Sequence, residues 1–415
     1  MPDPSRRKLL GAWYTPEALV EHVIDLAFAG LTLDRGRPIA VLDPACGDGR
    51  FLAAVHERFG GNVELTGVDI DPVAVAASRT SLPGSEILLA DALQHRWGDR
   101  TFDVVIGNPP FLNQMSTATT RGGRSRFGGG PYADAAAEFL ALAVQLARAD
   151  GAKVALVLPQ SVLSTRDAGP IRTSVLERAA LVHLWWSHEP MFDATVRTCA
   201  MVLRTGQKQS AVSRTAGPRF EVASSAPAQA LASASWGGLL HDEVMSLPES
   251  TGPTLGDLAT FVVDFRDQYY GLVGAVGDDV DGPPLVTSGL IEPGRCLWGE
   301  RATRFAKQRY LAPRVDLARL SPRMQGWARK RLVPKLLIAN QTRVIEAVVD
   351  PTGAWLPSVP VITCTTDDVE DVEDVARIIG SDRAPQWVRH HAAGSGLSVN
   401  TVRLSPALLA SIPLP

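Results

Sequence analysis

Cysteine is scarce in this chain: Cys46, Cys199, Cys296 and Cys364 are scattered through 415 residues with no C-x-x-C pair. That spacing argues against a disulfide framework and a zinc site, so four reduced thiols and no metal are expected. Long apolar runs are also missing. The run at 154–158 falls far short of the roughly 20 residues that span a bilayer. The N-terminus holds two arginines and a lysine, but Glu17, Glu21 and Asp25 interrupt the segment after them, leaving no apolar secretory core. A cytoplasmic location without membrane contact is the expectation. No internal repeat is visible, and the net charge of -3 gives no overall bias toward nucleic acid.

The length calls for two domains, and an apolar content of 45% is ordinary for a globular protein. Through the first half, β-rich stretches at 39–43, 63–69, 86–90, 102–106, 153–158, 181–186 and 198–203 alternate with apolar residues at helical spacing, such as Leu19, Val23 and Leu26. This alternation predicts an α/β fold with a doubly wound, mostly parallel sheet of seven strands. Ligands then bind beyond the carboxyl ends of the strands. The Ala-, Ser-, Gln- and Gly-rich segment from Gly206 loses periodicity. The predicted organisation is therefore a first domain over 1–205, a linker over 206–238 and a mixed α and β domain over 239–415, with short strands near 260–263, 336–338 and 359–363.

The turns after the predicted strands carry the chemistry. Asp43-Pro-Ala-Cys-Gly47-Asp-Gly49-Arg-Phe-Leu52 reads as strand, glycine turn and helix start, where backbone amides can approach a ligand closely. Asp69 ends the next strand about 20 residues beyond the turn, the distance at which an acid reaches ribose hydroxyls. Asp71 and Pro72 suit the cap and first position of the following helix, and Thr15 and Pro16 suit the same places ahead of an earlier one. Asp103-Val-Val-Ile-Gly107-Asn108-Pro109-Pro110-Phe111 runs from a strand into a stiff turn. An exocyclic amine on a heteroaromatic ring is a poor nucleophile because its lone pair is delocalised. The Asn108 side-chain oxygen and the Pro109 carbonyl can accept both amino hydrogens and favour a pyramidal nitrogen, while Phe111 offers a stacking face. Such catalysis is positioning plus electrostatics.

The run from Asp43 to Leu52 resembles the first motif of the amino-methyltransferases, and Asn108 to Phe111 resembles their (N/D)-P-P-(Y/F) motif. Gly11-Ala-Trp-Tyr14-Thr15-Pro16 resembles the G-x-Y-Y-T-P element of TaqI-type adenine DNA methyltransferases, with Trp13 replacing one aromatic. The resemblance implies a class I fold that binds S-adenosylmethionine. Tyr14 and Thr15 would close over the methionine end, with Asp43, Ala45, Gly47 and Asn108 beside it. Asp69 and Ile70 would hold the ribose side, and Asp91 and Ala92 the adenine. The target base would meet Asn108, Pro109, Pro110 and Phe111. Phe192, in a stretch resembling a late motif of the family, would supply a second aromatic face, although a core position is an equal reading.

Motifs of the amine-binding type also serve RNA and protein-glutamine enzymes. The early Tyr-Thr-Pro element and the long second half favour double-stranded DNA, with the implied activity being N6-adenine methylation of a flipped base. Short pieces around 284–293, 335–338 and 404–415 resemble TaqI-type target-recognition domains. Between Arg295 and Arg343 stand thirteen Lys or Arg against Glu300 and Asp316. A run that one-sided suits phosphates, and Arg304, Lys307, Arg329, Lys330 and Arg331 are the candidate contacts. The Gly- and Arg-rich stretch over 117–132 suits a mobile flap touching phosphates through Arg121, Arg124 and Arg126. A monomer is expected, with a cognate restriction endonuclease as a candidate partner. Two rivals remain: an RNA adenine methyltransferase, and a cofactor-binding recognition subunit that needs a partner for activity.

Overall fold

The computed structural model describes residues 15–31, 36–111, 125–130, 133–189, 191, 196–232, 235–241, 244, 252–264, 266–342, 344–393 and 402–415. The chain forms two compact units, Met1–Ser246 and Leu247–Pro415.

In the first unit, the strands are β1 (Ile39–Asp43), β2 (Val63–Asp69), β3 (Glu86–Leu89), β4 (Val104–Gly107), β5 (Lys153–Pro159), β6 (Ala179–Trp186), β7 (Thr198–Thr205), β8 (Val212–Ala216) and β9 (Glu221–Ala226). They form one sheet in the order β3-β2-β1-β4-β5-β7-β6-β8-β9. β1 to β5 pair in parallel, and β7 runs antiparallel to both β5 and β6. The seven expected strands are the first seven of this order, but the sheet has nine among the described residues. Residues 206–238, expected as a linker, carry the other two: β8 parallel to β6 and β9 antiparallel to β8. The first unit accordingly runs to Ser246 rather than 205.

Helices α1 (Glu17–Phe28), α2 (Arg50–Phe59), α3 (Pro72–Ser81), α4 (Ala135–Leu146) and α5 (Gly169–Leu176) belong to this unit. α1 buries Leu19, Val20, Val23, Ile24 and Ala27, the stripe that its periodicity predicts. These residues join Val41, Leu52, Val104, Ile106 and Val157 in one core. β5 is buried along its whole length, as expected of a central strand covered on both faces.

The second unit is a mixed α and β body. Its main sheet is antiparallel, built from β10 (Ala259–Val263), β11 (Lys335–Ile338), β12 (Ala347–Asp350) and β13 (Ile362–Thr366) in the order β10-β13-β11-β12. Helices α6 (Pro322–Arg331), α7 (Asp371–Ile379) and α8 (Arg383–Ala392) accompany it, and short two-stranded ribbons fill the middle. Lys335 and Asp350 face each other across β11 and β12, fully buried and 2.5 Å apart. Asp350 also accepts the amides of Ala354 and Trp355, so this buried pair is well satisfied. Among the described residues, no helix is long and apolar enough to cross a membrane.

Candidate active site

Because β1 to β4 are parallel, the turns after them lie at one edge of the sheet. The loop after β1 bends through Gly47 (φ 54°) and Gly49 (φ 84°). A Cβ at Gly49 would lie 2.9 Å from Ser78 Oγ, so α2 can begin there only with glycine. A Cβ at Gly47 would meet no atom within 4 Å, which leaves the loop facing open space. The loop is held from both sides: Ser78 Oγ donates to the Gly47 carbonyl at 2.8 Å, and the Gly47 amide donates to Asp69 Oδ2 at 2.8 Å. Asp69 Oδ1 accepts the Asp71 amide at 2.8 Å. Burial pushes the Asp69 carboxyl up from the usual range, opposed by these two amides. Asp71 in turn caps α3 through the Val73 amide, with Pro72 in the first position, as the sequence predicts.

Ile70 and Leu89, at the ends of β2 and β3, are 59% and 53% exposed. Large apolar side chains left in water at the strand ends offer a surface for a flat ring. Asp91 follows β3, and its carboxylate accepts the Leu93 amide at 3.0 Å and Gln94 Nε2 at 2.6 Å. Ala92 is buried, and its carbonyl accepts from Trp97 Nε1.

β4 ends on Gly107, where a Cβ would lie 2.4 Å from Asp43 Oδ1. The ends of β1 and β4 touch there because residue 107 has no side chain. Asp43 is buried and accepts the Ala45 amide at 3.0 Å. Burial, reinforced by Asp69 and Asp48, pushes its carboxyl up to about 8. Asn108 comes directly after, and its Nδ2 donates to Thr15 Oγ1 at 3.0 Å across 93 positions of chain. Thr15 is buried, and its carbonyl accepts from Arg50. This corrects its expected capping role: α1 starts at Glu17 with Pro16 in the cap position and no side-chain cap. Pro109 is buried, Pro110 is half-buried, and Phe111 packs partly buried against the core.

The far end of β4 is anchored by Asp103, an arrangement that sequence reasoning missed. It accepts two Arg37 nitrogens at 2.7 and 2.9 Å and the Ala40 amide at 3.0 Å, and it forms an ion pair with Arg148 at 2.9 Å. Burial opposes its ionisation, but these donors hold the carboxyl below the usual range. Ser78 and Gly107 were likewise missed as site residues. Tyr14, Phe192, Arg121 and Arg124 lie outside the described residues. Arg126 donates to the Leu93 carbonyl at 2.8 Å.

In the second unit, the basic stretch separates into two groups. Arg295 pairs with Glu300, Arg301 with Glu292, Arg319 with Asp316 and Arg331 with Asp264. Arg314 lies over the Trp298 ring and donates to the Gly282 carbonyl. Arg304, Lys307, Arg309, Arg329 and Lys330 are exposed. Arg331 is thereby removed from the expected phosphate contacts, because Asp264 takes two of its nitrogens at 3.0 and 2.7 Å.

Residues 4–217 match the family model described as N-6 DNA Methylase. Type II methyltransferase M.TthHB8I of Thermus thermophilus is 28% identical over 227 residues, covering 50% of this chain and 48% of that protein. The Type I restriction enzyme MjaIX methylase subunit of Methanocaldococcus jannaschii is 32% identical over 115 residues, covering 25% and 19% respectively. This chain therefore spans half or less of the length of these curated relatives. A structure of the Type IIL restriction-modification enzyme MmeI in complex with DNA shares 15% identity and a TM-score of 0.60, covering 99% of this chain and 69% of that one. That likeness is one of fold, and it takes in both units.

Proposed function

The chain belongs to the N-6 DNA Methylase family, and on that premise we propose that it methylates the N6 amino group of an adenine flipped out of double-stranded DNA. The observation that carries the reading is the hydrogen bond from Asn108 Nδ2 to Thr15 Oγ1. It orients the Asn-Pro-Pro-Phe segment: with Nδ2 directed at Thr15, the buried amide oxygen of Asn108 lies on the opposite side of the side-chain amide.

S-adenosylmethionine fits the residues beside this segment. The Gly47 backbone faces open space, Asp69 keeps two of a carboxylate's roughly four acceptor positions beyond its two amides, and Ile70 presents an apolar face. We assign Asp69 to the ribose hydroxyls, Ile70 to one face of the cofactor's adenine, and the 43–47 loop with Thr15 to the methionine end. Asp91 and Ala92 would border the cofactor's adenine amino group. When bound, the cofactor supplies a sulfonium methyl as the electrophile. Asn108 Oδ1 and the Pro109 carbonyl accept the two hydrogens of the target amine and aim its lone pair. Phe111 stacks on the base, with Phe192 assigned to the same pocket and Tyr14 to the methionine end of the cofactor on the family pattern. Proline at 109 and 110 keeps the acceptors stiff, so little reorganisation is needed in the transition state.

The second unit is assigned to target recognition, the enzyme to a cytoplasmic monomer, and a cognate endonuclease remains the candidate partner. The test is tritiated methyl transfer by the purified chain to duplex DNA and to ribosomal RNA, with the product digested to nucleosides. N6-methyladenine in duplex DNA is expected. Label in RNA alone would identify an RNA adenine methyltransferase. Transfer that begins only on adding a partner would identify a recognition subunit.

A further inference from the structure

The ribbon Thr303–Phe305 with Gln308–Tyr310 is a tight antiparallel hairpin whose geometry runs against its own sequence. Its two-residue loop is Ala306–Lys307, with φ 48° and 68°. Positive φ at both loop residues is the type I′ turn, which favours Asn-Gly and disfavours residues bearing a Cβ. Arg304 and Arg309 are direct cross-strand partners. Residues directly opposite share one face of the ribbon, and like charges there repel. Neither feature helps the hairpin to form.

The hairpin is nevertheless firmly rooted. Phe305 is buried and packs on the Tyr269 ring at 4.9 Å, and the Ala306 amide donates to the Tyr269 hydroxyl at 3.1 Å. Thr303 is buried against Thr287, hydroxyl to hydroxyl at 2.5 Å. Opposite this inner face, Arg304 and Arg309 stand exposed, with Lys307 at the tip. Among the described residues, the other cations of the basic stretch have local explanations. Several are in ion pairs, and Arg329 and Lys330 sit in the last turn of α6, where the helix dipole favours cations. Among the described residues, no carboxylate lies within ion-pair distance of Arg304, Lys307 or Arg309.

We infer that this hairpin is a clamp for the nucleic-acid backbone, with one phosphodiester held between the Arg304 and Arg309 guanidinium groups and a neighbouring phosphate met by Lys307. An anion between the two arginines converts their repulsion into two charge-assisted contacts. Backbone strain and an unneutralised pair are tolerated where a ligand uses them. The contact is independent of sequence and sets position on the duplex rather than the base that is read. The inference rests on duplex DNA being the substrate, and it adds Arg309 to the contacts that charge counting alone suggests.

The test compares wild type with Arg304→Gln/Arg309→Gln, measuring duplex DNA binding across a salt series together with thermal unfolding. The double variant is expected to melt at or above the wild-type midpoint, because a like-charged pair has gone. It should bind every duplex several-fold more weakly, and its slope of log affinity against log salt should flatten by roughly 0.9, the value for the one phosphate that the two arginines share. The methylated site should not change. A second variant, Ala306→Asn/Lys307→Gly, installs the favoured turn residues and removes one charge; a higher midpoint and a slope flatter by about 0.9 are expected. An unchanged slope in the arginine variant, with wild type still binding duplex, overturns the clamp and leaves the proposed function standing. A markedly lower midpoint also overturns it by showing the arginines to be structural. Wild type that binds no duplex, or prefers RNA, defeats the proposed function and the clamp together.

Discussion

In the first unit, parallel strands bring Asp43, Asp69 and Asn108 to one edge from positions spread over 66 residues, and the chain before α1 adds Thr15. In the second unit, antiparallel strands send successive ends to opposite edges, so side chains gather only where a ribbon or a helix end holds them. The first arrangement concentrates polar groups that are near in space and far apart in sequence. The second spreads charge over a surface. A unit of the first kind suits the grip and activation of one small reacting group, and one of the second suits a long polyanion met at many weak points.

That contrast can be broken most forcefully inside the second unit. Lys335→Met leaves Asp350 charged and buried, and should cost about 3–5 kcal/mol of that unit's stability. Calorimetric titration with S-adenosylmethionine should nevertheless give the wild-type affinity, because the first unit has its own core. A matching loss of cofactor binding would show that the units do not divide the labour.

Next in size, Asn108→Ala should lower kcat by roughly a hundredfold to a thousandfold, about 3–4 kcal/mol, because an acceptor for the target amine is lost. Single-turnover kinetics with duplex DNA reads this, and near wild-type turnover would remove Asn108 from the chemistry. Asp69→Ala should weaken cofactor binding by about 1.5–3 kcal/mol while leaving the salt dependence of DNA binding unchanged.

A different kind of effect is expected on stability against pH. The folded-state pKa of Asp43, at about 8, lies above its ordinary value of 3.8. The native state therefore holds this proton more tightly than the unfolded chain does. Its contribution is fully present below the ordinary value and is lost as pH rises through about 8. Asp43→Asn should remove that loss, so the variant gains on wild type by up to about 1.4 kcal/mol per pH unit between about pH 5 and about pH 8. Urea unfolding at the two pH values measures it, and parallel curves would show that Asp43 does not titrate there.

The first seven strands were legible because each is a compact apolar run bounded by turn residues, and the strand-end motifs fall where such strands stop. Boundaries moved by a residue or two. Phe102, expected inside β4, makes only an isolated bridge to Ala147. β8 and β9 were not legible: Val-Ser-Arg-Thr-Ala and Glu-Val-Ala-Ser-Ser-Ala lack apolar alternation, and the buried side chain in the middle of β8 is an arginine. Within the site, Thr15 was identified for its position, but its partner was not, since a hydroxyl that satisfies a cap and one that meets a distant amide look alike in sequence. The buried Lys335 was counted as surface charge, because its partner Asp350 lies across a sheet and outside the charged stretch. Charge tallies read a neighbourhood along the chain, whereas neutralisation happens in space.

Arg214 gives the first unit a defined end. It is 1% exposed, and it donates to the Ser224 carbonyl at 2.6 Å, the Leu239 carbonyl at 2.8 Å and the His241 carbonyl at 2.6 Å. One guanidinium thus fastens the segment around 239–241 to the last two strands, and it lies over the Trp186 ring of β6 at 5.0 Å. The shortest fragment able to fold as the first unit therefore extends to His241. One stopped at Thr205 would strip β6 of its parallel neighbour β8 and expose an adhesive row of backbone donors and acceptors to other chains.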